Sequence, residues 1–155
     1  MNKDNYGDKF SEHLLEQYKI LVTSINNLGE RRAQTNRFYI SVLSGFLFVI
    51  SFTTTKNIFS EFQNILIAAI ALLGIILCII WRLNIQAFGV TSYRRYNVLN
   101  IIEEKLPFPT FTKITELLKK DKKYIPMAKI ELYVPFVLMI PYLLLLIYSI
   151  YFLFT

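Results

Sequence analysis

The chain has 155 residues, of which 54% are hydrophobic and 18% charged, and its formal net charge at pH 7 is +6. The only cysteine is Cys78, which excludes an intrachain disulfide framework, and the only histidine is His13, which removes the usual zinc and histidine-base sites. We therefore expect no metal or cofactor, and a chain of this length has room for one domain and little else.

Three long uncharged apolar runs dominate the chain: residues 38–55, 62–81 and 132–155, of 18, 20 and 24 residues. A helix of about 20 apolar residues crosses about 30 Å of hydrocarbon. Only helices and closed barrels satisfy their backbone in lipid, and these runs lack the alternation of barrel strands. The sequence therefore predicts an all-α integral membrane protein with three transmembrane helices, TM1, TM2 and TM3.

The positive charge is unevenly divided among the connecting segments. Residues 1–37 hold six Lys and Arg, residues 56–61 hold one, and residues 82–133 hold ten. Because short cytoplasmic segments carry the excess of Lys and Arg, the amino terminus is predicted inside and the carboxyl terminus outside. Residues 56–61 then form an outer hairpin, and residues 82–131 form a basic cytoplasmic helical segment. Membrane-flanking charge explains the basic composition, so we expect anionic lipids as partners and no nucleic acid.

The amino-terminal segment is predicted to be flexible over residues 1–10 and an amphipathic cytoplasmic helix over residues 11–37. Its apolar residues recur at alternating steps of four and three, which is typical of a coiled-coil seam. We interpret this pattern as an oligomer seam, although the helix around Leu99 and Ile102 and the membrane surface are alternative partners. The seam consists of Leu14, Tyr18, Leu21, Ile25 and Leu28.

The first span carries a stripe of small and hydroxyl residues: Ser41, Ser44, Gly45, Ser51 and Thr55. Small residues let helices approach closely, and hydroxyls bond across such contacts, so packing is the commoner role of a stripe like this. The alternative is a weakly polar pore wall, built when several copies assemble. The three spans contain no Asp, Glu, Lys, Arg or His, which argues against a pump or an ion-coupled transporter.

Prolines divide the second half of the chain. Pro107 and Pro109 are expected to end the helix that continues beyond the second span. A short amphipathic piece follows, and then a solvated basic turn that we expect to face lipid, with Lys119, Lys120, Lys122 and Lys123. Pro141 lies inside the third span and is predicted to kink it, either as a gating hinge or as a packing feature.

Charges of both signs near the membrane form a candidate ion-pair network, within or between subunits: Arg31, Arg32, Arg94, Arg95, Glu103 and Glu131. Solvated faces are the commoner outcome, because exposed ion pairs contribute only about 0–1 kcal/mol. Glu103 and Glu104 are adjacent, so on a helix they point apart and do not share a substrate. With no phosphate loop or nucleophile motif, the sequence favours a protein that is not an enzyme.

Several short stretches, in this order and spacing, give the chain a family resemblance. They are residues 15–19 (LEQYK), Arg31-Arg32 with Asn36 and Phe38, Trp81, residues 95–99 (RYNVL), residues 103–107 (EEKLP), Tyr124, Ile130-Glu131 and Val134-Pro135. The chain resembles the RipA family of small membrane proteins, which the family name describes as octameric, and more loosely the SLATT group of membrane effector domains. The resemblance implies a homo-oligomer of eight copies in the bacterial inner membrane.

Two functions follow as hypotheses. By analogy with SLATT-like proteins, the first is a ring-forming pore or membrane-perturbing effector linked to stress or anti-phage defence. The alternative is a non-conducting scaffold that presents a basic cytoplasmic ring to lipid or to a cytoplasmic protein partner.

Overall fold

A computed structural model of the protein describes residues 7–56, 62–121 and 126–154. The described residues form helices and no strand, which confirms the predicted all-α class. Most of the predicted outer hairpin, together with Lys122 and Lys123, lies outside the described residues. The helices are α1 (Phe10–Lys56), α2 (Gln63–Glu103), α3 (Thr110–Lys120), α4 (Met127–Glu131) and α5 (Val134–Phe154).

Three helical segments are long and apolar enough to cross a membrane: Phe10–Thr55, Gln63–Glu103 and Met127–Phe152. The prediction of three transmembrane helices is therefore confirmed, while their orientation stays a prediction. Helices α1 and α2 have 47 and 41 residues, about twice what a crossing needs, so each continues beyond its apolar run. The predicted amphipathic helix and first span are one continuous helix, since no proline interrupts residues 10–56.

The chain divides into two units, each with its own core. The extramembrane unit, Met1–Arg32 with Phe88–Ile125, contains none of the three apolar runs. Its buried side chains include Ile25, Leu28 and Leu99. The Phe111 ring lies 6.5 Å from that of Tyr18, between ring centroids, and packs onto this core from α3. The apolar stripes of α1 and α2 thus form a small core of their own.

The membrane unit, Ala33–Ala87 with Pro126–Thr155, contains all three spans. A Cβ on Gly74 would lie 2.4 Å from the ring of Tyr142, so a glycine is needed for this close approach. Many other apolar side chains of the spans are exposed in the protomer, as expected for surfaces that meet lipid or further copies. The buried core of the unit consists of Tyr39, Leu43, Ala71, Cys78, Trp81, Ile85 and Tyr142.

Candidate functional site

The hydroxyl stripe of α1, Ser41, Ser44, Gly45, Ser51 and Thr55, lies on the outer surface of the membrane unit. All five residues are exposed in the protomer. Among the described residues, no atom lies within 4 Å of a Cβ built on Gly45, apart from its own helical surroundings. Thr55 donates its hydroxyl to the carbonyl of Ser51 over 2.9 Å. Packing within the described protomer therefore does not use the stripe, and lipid, water or another copy must contact it.

Two buried hydroxyls tie α5 to the other spans of the membrane unit. The hydroxyl of Tyr142 donates to the carbonyl of Leu43 in α1, and that of Ser149 donates to the carbonyl of Asn64 in α2. Both side chains are fully buried. A lone hydroxyl in an apolar run was the only sequence signal for Ser149, so sequence reasoning missed this contact. The hydroxyls that hold one protomer together are thus separate from those of the exposed stripe.

Pro141 lies inside α5, next to Tyr142. Proline removes one hydrogen bond of a helix and clashes with the preceding turn, which favours a bend. Its neighbour Tyr142 is held between Gly74 and the carbonyl of Leu43. The predicted kink therefore falls at a well-packed contact, and its use as a gating hinge remains a prediction.

A cluster of polar and aromatic side chains joins three helices of the membrane unit. The indole N–H of Trp81 donates to Oδ1 of Asn36 over 2.8 Å, and the Asn36 amide donates to Oε2 of Glu131 over 3.3 Å. Asn84 donates to the hydroxyl of Tyr39 over 2.7 Å, and the rings of Tyr39 and Trp81 stack 5.7 Å apart. Three of the residues that carry the family resemblance, Asn36, Trp81 and Glu131, are therefore in one hydrogen-bonded chain.

The predicted oligomer seam lies in the extramembrane unit and is partly covered by the protomer itself. Ile25 and Leu28 are buried, and Leu14, Tyr18 and Leu21 are half-buried. Within the same unit Leu99 of α2 is fully buried, and the seam residue Tyr18 donates a hydrogen bond to Glu103 at the end of α2, so the seam contacts α2 within the protomer. Self-association through the seam remains a prediction. The exposed apolar side chains of this part of α1 are Leu15 and Ile20.

Glu103, the last residue of α2, is buried and fully engaged. Its carboxylate accepts hydrogen bonds from the backbone N–H groups of Phe111 and Thr112, over 2.8 and 2.9 Å. It also accepts the hydroxyls of Thr112 and Tyr18 over 2.9 and 3.1 Å. Burial alone would raise the pKa of Glu103, but these four hydrogen bonds outweigh it and hold the pKa below its usual value. The carboxylate therefore acts as the anionic cap of α3.

The arginines of the candidate ion-pair network differ in their surroundings. Arg31 and Arg94 are exposed, whereas Arg32 and Arg95 are half-buried. The guanidinium of Arg95 donates to the hydroxyl of Ser24 over 2.7 Å and to the carbonyl of the same residue. This contact joins α1 and α2 within the extramembrane unit. Pairing of these arginines with the two glutamates, within or between subunits, remains a prediction.

Helix α3 is amphipathic, yet none of its residues is buried in the protomer. Its last turn carries Lys119 and Lys120, both exposed. A lipid-facing role for these lysines remains a prediction. The exposed apolar side chains of α3 are Ile114, Leu117 and Leu118.

Residues 15–151 match the family described as "Octameric membrane protein family (8xMP)". Comparisons with curated proteins and with solved structures gave no match. The family match covers well over half of the chain and includes the hydroxyl stripe, the Asn36 cluster and Glu103.

Proposed function

Because the chain belongs to the octameric membrane protein family, we propose that its copies form a ring that acts as a gated pore or membrane-perturbing effector. The family and the three apolar helices establish a homo-oligomeric membrane protein. The proposed setting is the bacterial inner membrane, with the amino terminus inside, and the proposed role belongs to stress or anti-phage defence. We also propose that the protein is not an enzyme.

The exposure of the hydroxyl stripe carries this proposal. The stripe residues Ser41, Ser44 and Ser51 point away from the core of their own protomer. A hydroxyl gains little from facing hydrocarbon, because lipid offers it no hydrogen-bond partner. In a ring of identical copies, symmetry repeats the stripe, so an axial position for α1 gives a continuous, weakly polar wall. The absence of charged residues from the apolar runs fits a pore that is gated by its width and wetting.

Ion flux through reconstituted liposomes tests the assignment. The variant Ser44→Leu/Ser51→Leu should reduce ion flux while the oligomer keeps its mass. Leucine side chains are larger than those of serine and carry no hydroxyl, so they narrow the pore and make its wall less polar. The matched control is Val49→Leu/Phe52→Leu, at two exposed apolar positions of the same helix outside the stripe. Undiminished flux in the serine variant contradicts an axial α1. Loss of the oligomer in that variant alone indicates that the stripe packs between subunits instead.

The alternative is a non-conducting scaffold, and α3 is the feature that favours it. This helix has an exposed apolar side and a basic last turn. That combination suits a helix lying at an anionic membrane surface, where each nearby Lys contributes about 1 kcal/mol. A ring of such helices could equally recruit an acidic protein partner.

Lipid binding distinguishes the scaffold from the pore. If the scaffold hypothesis holds, replacing the four lysines 119, 120, 122 and 123 by Glu should abolish binding of added anionic vesicles to the reconstituted protein. Neither the natural chain nor this variant should conduct ions. The matched control places Glu at Lys9 and Lys105, two exposed lysines outside this segment. Normal association after reversal contradicts the scaffold hypothesis.

A further inference from the structure

A basic groove, separate from the stripe and from Glu103, lies in the extramembrane unit. It encloses about 530 Å³. Its polar lining comes from one face of α1 and one residue of α2. It consists of three cations, Lys19, Arg31 and Arg95, and three short polar side chains, Thr23, Ser24 and Asn27.

Helix periodicity explains why these residues share one face. Positions four apart lie on the same side of an α-helix, so Lys19, Asn27 and Arg31 form a ridge along α1, with Thr23 between them. Ser24 lies beside this ridge and holds Arg95 of α2 in place through its hydroxyl and carbonyl. The groove is thus built on two packed helices, which makes it a preformed surface.

The charge of the groove is not neutralised within the part of the chain that the structure describes. Over residues 7–56, 62–121 and 126–154, no carboxylate forms an ion pair with Lys19, Arg31 or Arg95. Arg95 uses one terminal nitrogen for Ser24, and a guanidinium has five N–H donors, so others remain for a ligand. An anion bound between these side chains gains favourable Coulomb energy with each of them.

The size and lining of the groove indicate the class of anion. Arginine and lysine together are typical of phosphate recognition, where Arg supplies a planar fork and Lys a point charge. The volume lies within the range of small-molecule sites, about 300–1,000 Å³, and suits more than a bare ion. Ile20 and Leu28 line the groove beside the polar groups and offer apolar contact to the rest of a ligand.

We propose that the basic groove binds a phosphate-bearing small anion, either a soluble phosphorylated compound or the headgroup of a phospholipid. This inference does not depend on whether the ring conducts. It assigns a ligand to the extramembrane unit.

Calorimetric titration of the full-length oligomer, in nanodiscs of phosphatidylcholine, with sodium tripolyphosphate is the test. We expect saturable binding with one site per protomer, and about tenfold weaker binding in Lys19→Gln/Arg31→Gln. The matched control is Arg94→Gln/Lys105→Gln, two exposed cations of the same unit outside the groove. The control should bind within about twofold of the natural chain. No binding, or an equal loss in both variants, overturns the proposal.

A second variant keeps the test valid if the first fails to assemble. Asn27→Asp places a carboxylate in the groove without removing a cation, and should weaken binding by repulsion of the probe. Undiminished binding in this variant overturns the proposal.

Nanodiscs that contain phosphatidylglycerol distinguish the two sources of phosphate. Competition by this lipid against tripolyphosphate in the natural chain, and not in the Lys19→Gln/Arg31→Gln variant, identifies a lipid headgroup. Unchanged tripolyphosphate binding in these nanodiscs identifies a soluble ligand. A structure of the assembled ring with a neighbouring copy's carboxylate seated in the groove would refute both.

Discussion

The hydroxyl of Tyr18 donates a hydrogen bond of 3.1 Å to Oε1 of Glu103, which joins α1 to the end of α2 across 85 sequence positions. The same carboxylate accepts the first free N–H groups of α3, from Phe111 and Thr112. Pro109, which precedes α3, gives the helix no side-chain cap. Glu103 therefore supplies the cap from another helix, and one buried carboxylate organises three helical segments of the extramembrane unit.

Replacing Glu103 by alanine should destabilise this unit. The variant leaves partly buried N–H donors of α3 and the Tyr18 hydroxyl without their acceptor, which costs about 1–3 kcal/mol. The measurement is the thermal midpoint of the detergent-solubilised protein, followed by far-ultraviolet circular dichroism, and it should fall. Glu104→Ala is the control, because Glu104 is adjacent and exposed. Equal midpoints for the two variants would contradict the capping role.

Glu103 should also make stability depend on acidity. Although burial raises its pKa, its hydrogen bonds bring the pKa in the folded protein below the usual 4.5. A carboxyl with a lowered folded pKa stabilises the fold fully above its unfolded pKa, and this contribution disappears as pH falls through the folded pKa. The gap in thermal midpoint between the natural chain and Glu103→Gln should therefore be constant near neutral pH and shrink below about pH 4.5. A gap that is independent of pH would show that the charge of Glu103 does not matter.

Gly74 is expected to be intolerant of any side chain. An added Cβ would lie 2.4 Å from the ring of Tyr142, which is itself fixed by the carbonyl of Leu43. Overpacking of this kind typically costs about 1–3 kcal/mol, so Gly74→Ala should lower the thermal midpoint of the solubilised protein. Gly89→Ala is the control, since a Cβ there meets no described atom within 4 Å and the helix gains propensity. If Gly74→Ala has the same thermal midpoint as the control, the ring of Tyr142 does not pack against Gly74.

The spans could be predicted from the sequence because their signal is local. Each apolar run is long enough to cross a bilayer by itself, and the run boundaries coincide with charged residues. That α1 is one continuous helix was harder to predict from the sequence. An amphipathic seam and an apolar run have different residue patterns even when one helix carries both. Pro107 and Pro109 correctly indicated an end to α2, but the helix ends at Glu103, where the side chain turns to cap α3.

The polar contacts of the site were less predictable because their partners are far apart in sequence. The sequence analysis placed Glu103 and Glu131 in a candidate ion-pair network with arginines. In the structure Glu103 accepts hydrogen bonds from Tyr18 and from α3, and Glu131 accepts one from Asn36. Pro109, which cannot cap the helix that follows it with its side chain, was the sequence signal for the role of Glu103.

The contact between Asn36 and Trp81 gives a prediction with its own spectroscopic probe. Trp81 is the only tryptophan of the chain and is buried, and its indole N–H donates to Asn36 over 2.8 Å. Asn36→Leu removes the acceptor and leaves a buried donor unsatisfied, at a cost of about 1–3 kcal/mol. The thermal midpoint should fall, and the tryptophan emission should move to shorter wavelength because the excited indole loses its hydrogen bond.

The control for this prediction is Gln34→Leu, which removes an exposed amide from the same helix. It should leave both the midpoint and the emission of Trp81 unchanged. If Asn36→Leu also leaves the emission unchanged, the indole N–H has another acceptor, and Asn36 does not join α1 to α2. A shifted emission with an unchanged midpoint would mean that the bond forms but contributes little to stability, because water or a headgroup replaces the amide.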